Sequence, residues 1–381
     1  MKAIVNGKFV MPDGVRTGPA LVFDQKIRGY VEAGELVADV EKIDARGCWV
    51  FPGLIDMHIH GYMGEDASDG SYEGLRKMAA GIAAHGVTSF LPTTMTVSYA
   101  ELEAAFEEIR RAMTASHAEN WFGACVLGAN AEGPFINPSK KGAQAVQHIR
   151  PGDPAFLKRY SDVIRIFTIA PEMPGNMGCI REMAAIGMPI SMGHTAATYA
   201  QAEAAVDAGV THVTHLFNAM TALNHREPGV VGAALADDRV SCELIADTFH
   251  VDKALFSLVA RQKGEKLVLI TDCIRSGGMP DGEYTLGGQA IFVHGIECRL
   301  ADGTIAGSML TLERAVKNMW DYSGLPLHEA VNMASRNPAR VLGIEDRKGT
   351  LEPGSDADIA IIDRDFAVQQ TIVEGRTVFR R

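Results

Sequence analysis

Eight short apolar runs, spaced along the middle of the chain and separated by helix-compatible segments, restrict the fold more than any other feature. They fall at residues 49–59, 87–91, 125–129, 163–169, 189–192, 213–214, 242–246 and 266–270. Most are apolar on both faces, as expected for parallel strands covered on two sides. Residues 72–85 and 99–117 have helical composition, and 198–208 opens on Thr198, a suitable cap. Strands alternating with helices favour a parallel sheet, and eight is the number that closes a (β/α)₈ barrel. An open doubly wound sheet would carry a glycine-rich phosphate fingerprint after its first strand, and none is present.

The two ends of the chain have a different texture. Residues 3–5, 8–10 and 20–23 are strand-like, as are 358–362, 371–373 and 377–379. Asn6-Gly7 predicts a hairpin, and Gly354 and Gly375 sit where turns are needed. With 381 residues, the chain can hold one large core and a smaller satellite. The expected organisation is an α/β protein of the TIM-barrel type over 51–344, with a small β-sandwich built from 1–50 and 345–381.

The bulk numbers exclude several classes. At 47% hydrophobic and 22% charged, the chain is an ordinary globular protein, and a net charge of -11 opposes nucleic acid and acidic membrane surfaces. The first residues lack a signal-peptide core, and no apolar run approaches the ~20 residues of a bilayer span. Six cysteines are scattered without Cys-x-x-Cys spacing, which reads as free thiols in a reducing cytoplasm.

The polar residues that follow the apolar runs carry the chemistry. On a strand, His58 and His60 share a face, about 6.5 Å apart. Such a pair alone is equally well explained as two hydrogen-bonded strand histidines. However, Glu132 follows the third run, His194 the fifth and His215 the sixth; Asp247 and His250 follow the seventh and Asp272 the eighth. Barrel chemistry sits at these C-terminal strand ends, and scattered core histidines would not select them so consistently. Imidazoles with carboxylates suit zinc, iron or manganese better than calcium, and such a metal lowers the pKa of its water. Asp272, whose alternative reading is a helix cap, is placed to take a proton from that water and return it to a leaving group. Hydrolysis is the implied reaction.

The constellation resembles the amidohydrolase superfamily and, within it, the N-acetylglucosamine-6-phosphate deacetylase family. The resemblance runs through Pro52-Gly53-Leu54-Ile55-Asp56-Met57-His58-Ile59-His60-Gly61, Glu132-Gly133-Pro134-Phe135, Gly193-His194-Thr195, Thr214-His215-Leu216-Phe217-Asn218-Ala219-Met220, His225-Arg226-Glu227-Pro228-Gly229, Thr271-Asp272 and Ala306-Gly307-Ser308. It implies hydrolytic deacetylation of N-acetyl-D-glucosamine 6-phosphate, with the galactosamine and mannosamine analogues as alternatives. Glu132, His194 and His215 would hold the principal divalent metal, and His58 and His60, with Glu132 as the bridge, a second one. Asp272 would be both a metal ligand and the general base and acid, and His250 a catalytic group that orients substrate. Asn218, Ala219, Gln144 and Ala306 would line the sugar phosphate, and Arg226 would clamp the phosphate from the neighbouring subunit of a homodimer.

Three positions depart from the family pattern. Asn130 stands where a histidine is usual, Gln144 follows Lys140-Lys141-Gly142-Ala143 where some members have histidine, and Thr248 replaces a glycine. These changes surround the sugar pocket more than the metal and bear on which epimer is taken. Two competing readings remain. Many ring amidases and nucleobase deaminases carry a carbamylated lysine on strand four, where this chain reads Thr168-Ile169-Ala170-Pro171-Glu172. A non-catalytic barrel typically loses metal ligands, and here every candidate ligand is kept.

Overall fold

The computed structural model describes residues 1–37 and 39–381. Its core is a nearly closed parallel barrel whose eight strands run in chain order: Leu54–Ile59, Val87–Thr94, Ala129–Phe135, Ile164–Ile169, Ile190–Met192, His212–Val213, Ser241–Ile245 and Leu267–Ile270. Every pairing between neighbours in this series is parallel, and the short Cys125–Val126 extends the third strand backwards. The last and first strands are tied at their C-terminal ends, where Asp272 N–H donates to the His58 carbonyl (2.9 Å) and His60 N–H to the Cys273 carbonyl (2.8 Å). Closure is therefore tightest where the strand-end side chains gather.

The outer helices form where the sequence supplies starts and amphipathic faces. Tyr99–Ala115 is opened by a capping box of Ser98 and Glu101, and Tyr199–Ala208 by Thr198 and Gln201. Tyr72–Ala83 is capped by Ser71 and buries Leu75, Met78, Ala79 and Ile82 on one face. No helix among the described residues is long and apolar enough to cross a membrane.

Two terminal sheets complete the molecule. One runs Ile27–Val31, Ala20–Phe23, Lys2–Val5, Glu41–Asp44; the other runs Arg376–Arg380, Val368–Val373, Ile359–Ile362, Trp49–Pro52, Lys8–Met11, Gly14–Arg16. They enclose a separate core of Ile4, Phe9, Leu21, Phe23, Val50, Ile359, Ile361 and Ile372. Both chain ends contribute to the second sheet, as the sequence implied. The hairpin at Asn6-Gly7 does not form. Asn6 does take the left-handed turn (φ 56), but Lys2–Val5 and Lys8–Met11 lie in different sheets. The chain crosses the sandwich there because Lys8 and Phe9 pair in parallel with Trp49 and Val50.

The apolar run 49–59 is two strands, not one. Trp49–Pro52 belongs to the terminal sheet, and the chain enters the barrel through Gly53. A Cβ at Gly53 would lie 2.1 Å from Thr88 Oγ1, so only glycine allows this close passage. Lys348 anchors the same corner: it is 1% exposed and donates to Asp358 Oδ2 at 2.6 Å. An antiparallel sheet of Gly282–Leu286, Gln289–His294 and Glu297–Leu300 follows the eighth barrel strand and had no counterpart in the sequence reading.

Candidate metal centre

The strand ends converge as a funnel of imidazoles and carboxylates. His58 and His60 come from the first strand, with ring centroids 5.2 Å apart and Nε2 atoms separated by 3.4 Å. Asp272 Oδ1 faces both, at 3.4 Å from His58 Nε2 and 3.2 Å from His60 Nε2. On the other side, Glu132 Oε1 lies 3.1 Å from His194 Nε2 and 2.9 Å from His215 Nε2, and those two nitrogens are 3.1 Å apart. Glu132 Oε2 is 3.2 Å from His60 Nε2, so this carboxylate stands between the two groups.

His194 (φ 47), His215 (φ 26) and Asp272 (φ 49) all adopt left-handed backbone conformations. Three non-glycine residues of this kind at one site represent roughly 1–3 kcal/mol of strain each, held by the surrounding barrel. Asp272 is thus not a helix cap. The turn after the last strand aims its carboxylate inward.

The outer nitrogens determine what the inner ones can do. His60 Nδ1–H donates to the Thr93 carbonyl (3.0 Å), His194 Nδ1–H to the Lys140 carbonyl (2.8 Å) and His215 Nδ1–H to the Asn218 carbonyl (3.2 Å). His58 Nδ1–H donates to Glu243 Oε2 at 2.9 Å. Carbonyl and carboxylate oxygens only accept, so each neutral ring turns an Nε2 lone pair inward. Lone pairs facing one another at 3.1–3.4 Å repel unless a cation lies between them.

The electrostatics point the same way. Burial opposes protonation of His58, but Glu243, Glu132 and Asp272 outweigh it and lift the ring to about 9. His60 is held well above its ordinary value, with Asp272 and Glu132 overcoming burial, and Glu132 overcomes burial at His194 too. Burial alone would raise Glu132 and Asp272, yet the imidazoles hold Glu132 well below the usual carboxylate range and lower Asp272. The centre of the funnel attracts positive charge. Four nitrogen lone pairs and two carboxylates, in the groups His58–His60–Asp272 and Glu132–His194–His215, form a donor set that could hold a metal ion.

Above the funnel opens a cleft of about 340 Å³. His60, Glu132, His194, His215 and Asp272 form its floor, and Asn218, Ala219, His250 and Gln144 its walls. Gln144 Nε2 donates to Glu132 Oε2 (2.5 Å) while its Oε1 accepts from Thr96 N–H (2.6 Å), so it holds the central carboxylate from above. His250 Nδ1 is bound to Asp247 Oδ2 at 2.6 Å, leaving Nε2 as its free ring nitrogen. Thr248, two residues earlier, stands at φ 70, where a β-branched residue is strained.

One expected contact, that of Ala306, is not made. Ala306 is fully buried behind the wall, which is formed instead by Thr304, Ile305 and Gly307. Arg226 is exposed and does not line its own cleft; its backbone N–H is held by Asn224 Oδ1 (3.1 Å). Asn130 is likewise not a lining residue, because its side chain donates to the Met57 carbonyl behind the floor (3.0 Å).

Sequence reasoning missed Glu243, His212, Lys140 and Leu286. Glu243 had a signal, a lone carboxylate inside the apolar run 242–246. Lys140 lines the cleft from the short 3₁₀ helix Pro138–Lys140 and Leu286 from the extra antiparallel sheet, whose signal was Gly287-Gly288 between two strand runs.

A parallel barrel with paired histidines on its first strand, a glutamate on strand three, histidines just after strands five and six, and an aspartate after strand eight is an arrangement suited to metal-assisted hydrolysis. The chain belongs to the amidohydrolase family, whose profile matches residues 49–378. It is 40% identical to the N-acetylglucosamine-6-phosphate deacetylase of Bacillus subtilis (strain 168), over 87% of this chain and 84% of that protein. It is also 40% identical to the N-acetylgalactosamine-6-phosphate deacetylase of Escherichia coli O157:H7, over 85% of this chain and 86% of that one. The crystal structure of N-acetylglucosamine-6-phosphate deacetylase from Pasteurella multocida superposes with a TM-score of 0.94 at 31% identity, covering 100% of both chains.

Proposed function

We propose that the cleft removes the acetyl group from an N-acetylhexosamine 6-phosphate, with N-acetyl-D-glucosamine 6-phosphate as the first substrate. The observation that carries this reading is Asp272: its carboxylate is within 3.4 Å of both first-strand Nε2 atoms and opens onto the same cleft as Glu132, His194 and His215. A divalent cation bound at these nitrogens would lower the pKa of water and polarise the amide carbonyl. Asp272 accepts the proton of the attacking water and delivers it to the departing amine as the amide C–N bond breaks. His250, anchored through Asp247, presents its free ring nitrogen to the substrate. Asn218 and Ala219 flank the sugar phosphate.

Arg226 supports a homodimer, in which it would reach the phosphate of the neighbouring site. Its guanidinium makes no hydrogen bond or ion pair among the described residues and is available to a partner. Six free thiols, five of them buried, accord with a cytoplasmic location.

A second reading concerns the epimer. The galactosamine-type relative is as similar in sequence as the glucosamine-type one. Of the departures, Gln144 lines the cleft, and Thr248 stands two residues before the lining His250. Acetate release measured across the N-acetyl 6-phosphates of glucosamine, galactosamine and mannosamine decides between them. Highest kcat/KM on the glucosamine compound is expected, highest kcat/KM on another epimer selects that epimer, and no acetate from any of the three refutes the proposal.

A further inference from the structure

We infer that Glu243 is a positioning residue that sets both halves of the metal centre from behind. It sits on the seventh barrel strand, 1% exposed, beneath the funnel and out of reach of any substrate. Its Oε2 accepts two hydrogen bonds, from His58 Nδ1–H at 2.9 Å and from the backbone N–H of His215 at 3.1 Å. One carboxylate oxygen therefore holds a side chain of the first group and the main chain of the second.

Each contact fixes something that would otherwise drift. At His58, the acceptor selects the tautomer and the ring plane, so that Nε2 faces inward. At His215, it holds the N–H of a residue whose φ is 26, outside the broad allowed regions, and so fixes where that ring departs from the chain. The other oxygen, Oε1, lies 3.3 Å from Nε2 of His212, a fully buried residue on the sixth strand. Neither ring nitrogen of His212, nor Glu243 Oε1, has another partner. His212 thus forms the back wall that keeps the carboxylate turned toward the funnel.

A barrel interior has no packing reason to hold a carboxylate here. Burying one is costly, and apolar replacements of buried ionic groups are often neutral or stabilising. Its retention makes sense if alignment of the inward nitrogens, not stability, is what it supplies. The inference rests on the reading that these nitrogens hold a divalent cation.

The test compares the unaltered protein with Glu243→Gln and Glu243→Leu. Metal-stripped samples are titrated with Zn²⁺ against a chromogenic chelator, bound metal per chain is counted, and thermal unfolding of the stripped samples is recorded. Loss of an outer partner typically weakens metal affinity about 10–100-fold. We expect a loss near the lower end for Glu243→Gln, which keeps an acceptor, and near the upper end for Glu243→Leu, with the stripped proteins unfolding at or above the unaltered temperature. Zn²⁺ affinity within twofold of the unaltered protein in Glu243→Gln overturns the inference, and that variant decides if the leucine one does not fold. A lowered unfolding temperature with unchanged affinity also overturns it, by making the residue merely structural. In a His58→Gln background the effect of Glu243→Gln should shrink, because one of the two attachments is gone, and an undiminished loss refutes the route through His58. If the unaltered protein itself takes up no Zn²⁺, the metal reading fails instead, which is a separate result.

Discussion

Replacing Lys348 with methionine should destabilise the protein by an amount its surroundings define. Its ammonium is 1% exposed and meets Asp358 Oδ2 at 2.6 Å and Asp356 Oδ2 at 3.1 Å. Asp356 has a second cation, Lys26 at 2.6 Å, so the charge left uncompensated is that of Asp358. Breaking a buried pair from one side costs roughly 3–5 kcal/mol. At roughly 2.1 cal/mol/K per residue, 381 residues give about 0.8 kcal/mol/K, so Tm should fall by about 4–6 °C at pH 7. Burial already holds Asp358 above the usual carboxylate range despite Lys348, and without the cation it rises further. An acid raised in the folded state imposes its penalty above that raised value, and none below the unfolded value of about 3.9. The Tm deficit of Lys348→Met should therefore narrow as pH is lowered from 7 to 4. Adding Asp358→Asn should recover at least half of it at pH 7. Calorimetry on the three proteins at both pH values is sufficient. A deficit below 1 °C at pH 7, or one that widens at pH 4, would refute the argument.

Asp272→Asn should retain bound metal and fold while turnover falls by about 10²–10⁴, because the amide cannot accept a proton; near-normal turnover at normal metal content excludes Asp272 as the base. His194→Ala and His215→Ala should each lower both acetate release and metal stoichiometry, and a variant that keeps full metal and full rate removes that histidine from the ligand set. Arg226→Ala should raise KM about 10–100-fold for a 6-phosphorylated substrate, the worth of a charge-assisted contact, and change little for the same sugar without phosphate. Mixing Arg226→Ala with Asp272→Asn subunits should restore part of the activity if the guanidinium crosses a dimer; equal losses on both substrates would make Arg226 structural.

The barrel was legible because its strands are buried on both faces and its helices show in local composition and, at Thr198, in a cap. The strand-end histidines and acids were legible for a related reason: each follows an apolar run. Non-local features were less so. The run 49–59 looked continuous because Gly53 breaks it by close contact with Thr88, not by turn chemistry. Asn6-Gly7 signalled its turn correctly, but turn chemistry does not determine that the two flanking strands join different sheets. Ala306 belonged to a matched motif, yet its backbone register buries it and brings Gly307 forward. Glu243 was overlooked because a carboxylate within a strand has meaning only once His58, on a strand nearly two hundred residues earlier, is seen beside it.

Three of the four inward-facing histidines are tethered by main-chain carbonyls, those of Thr93, Lys140 and Asn218, while His58 is tethered by a side chain. A point mutation can delete a carboxylate but not a peptide carbonyl. Genetic drift therefore acts unequally across this centre: substitution at position 243 can loosen the His58 ring and free the His215 N–H, whereas the Nδ1 tethers of His60, His194 and His215 survive any single replacement of Thr93, Lys140 or Asn218 that preserves the backbone path. The carboxylate at 243 is thus a replaceable anchor among fixed ones, and its loss would reach both the His58 ring and the main chain of His215.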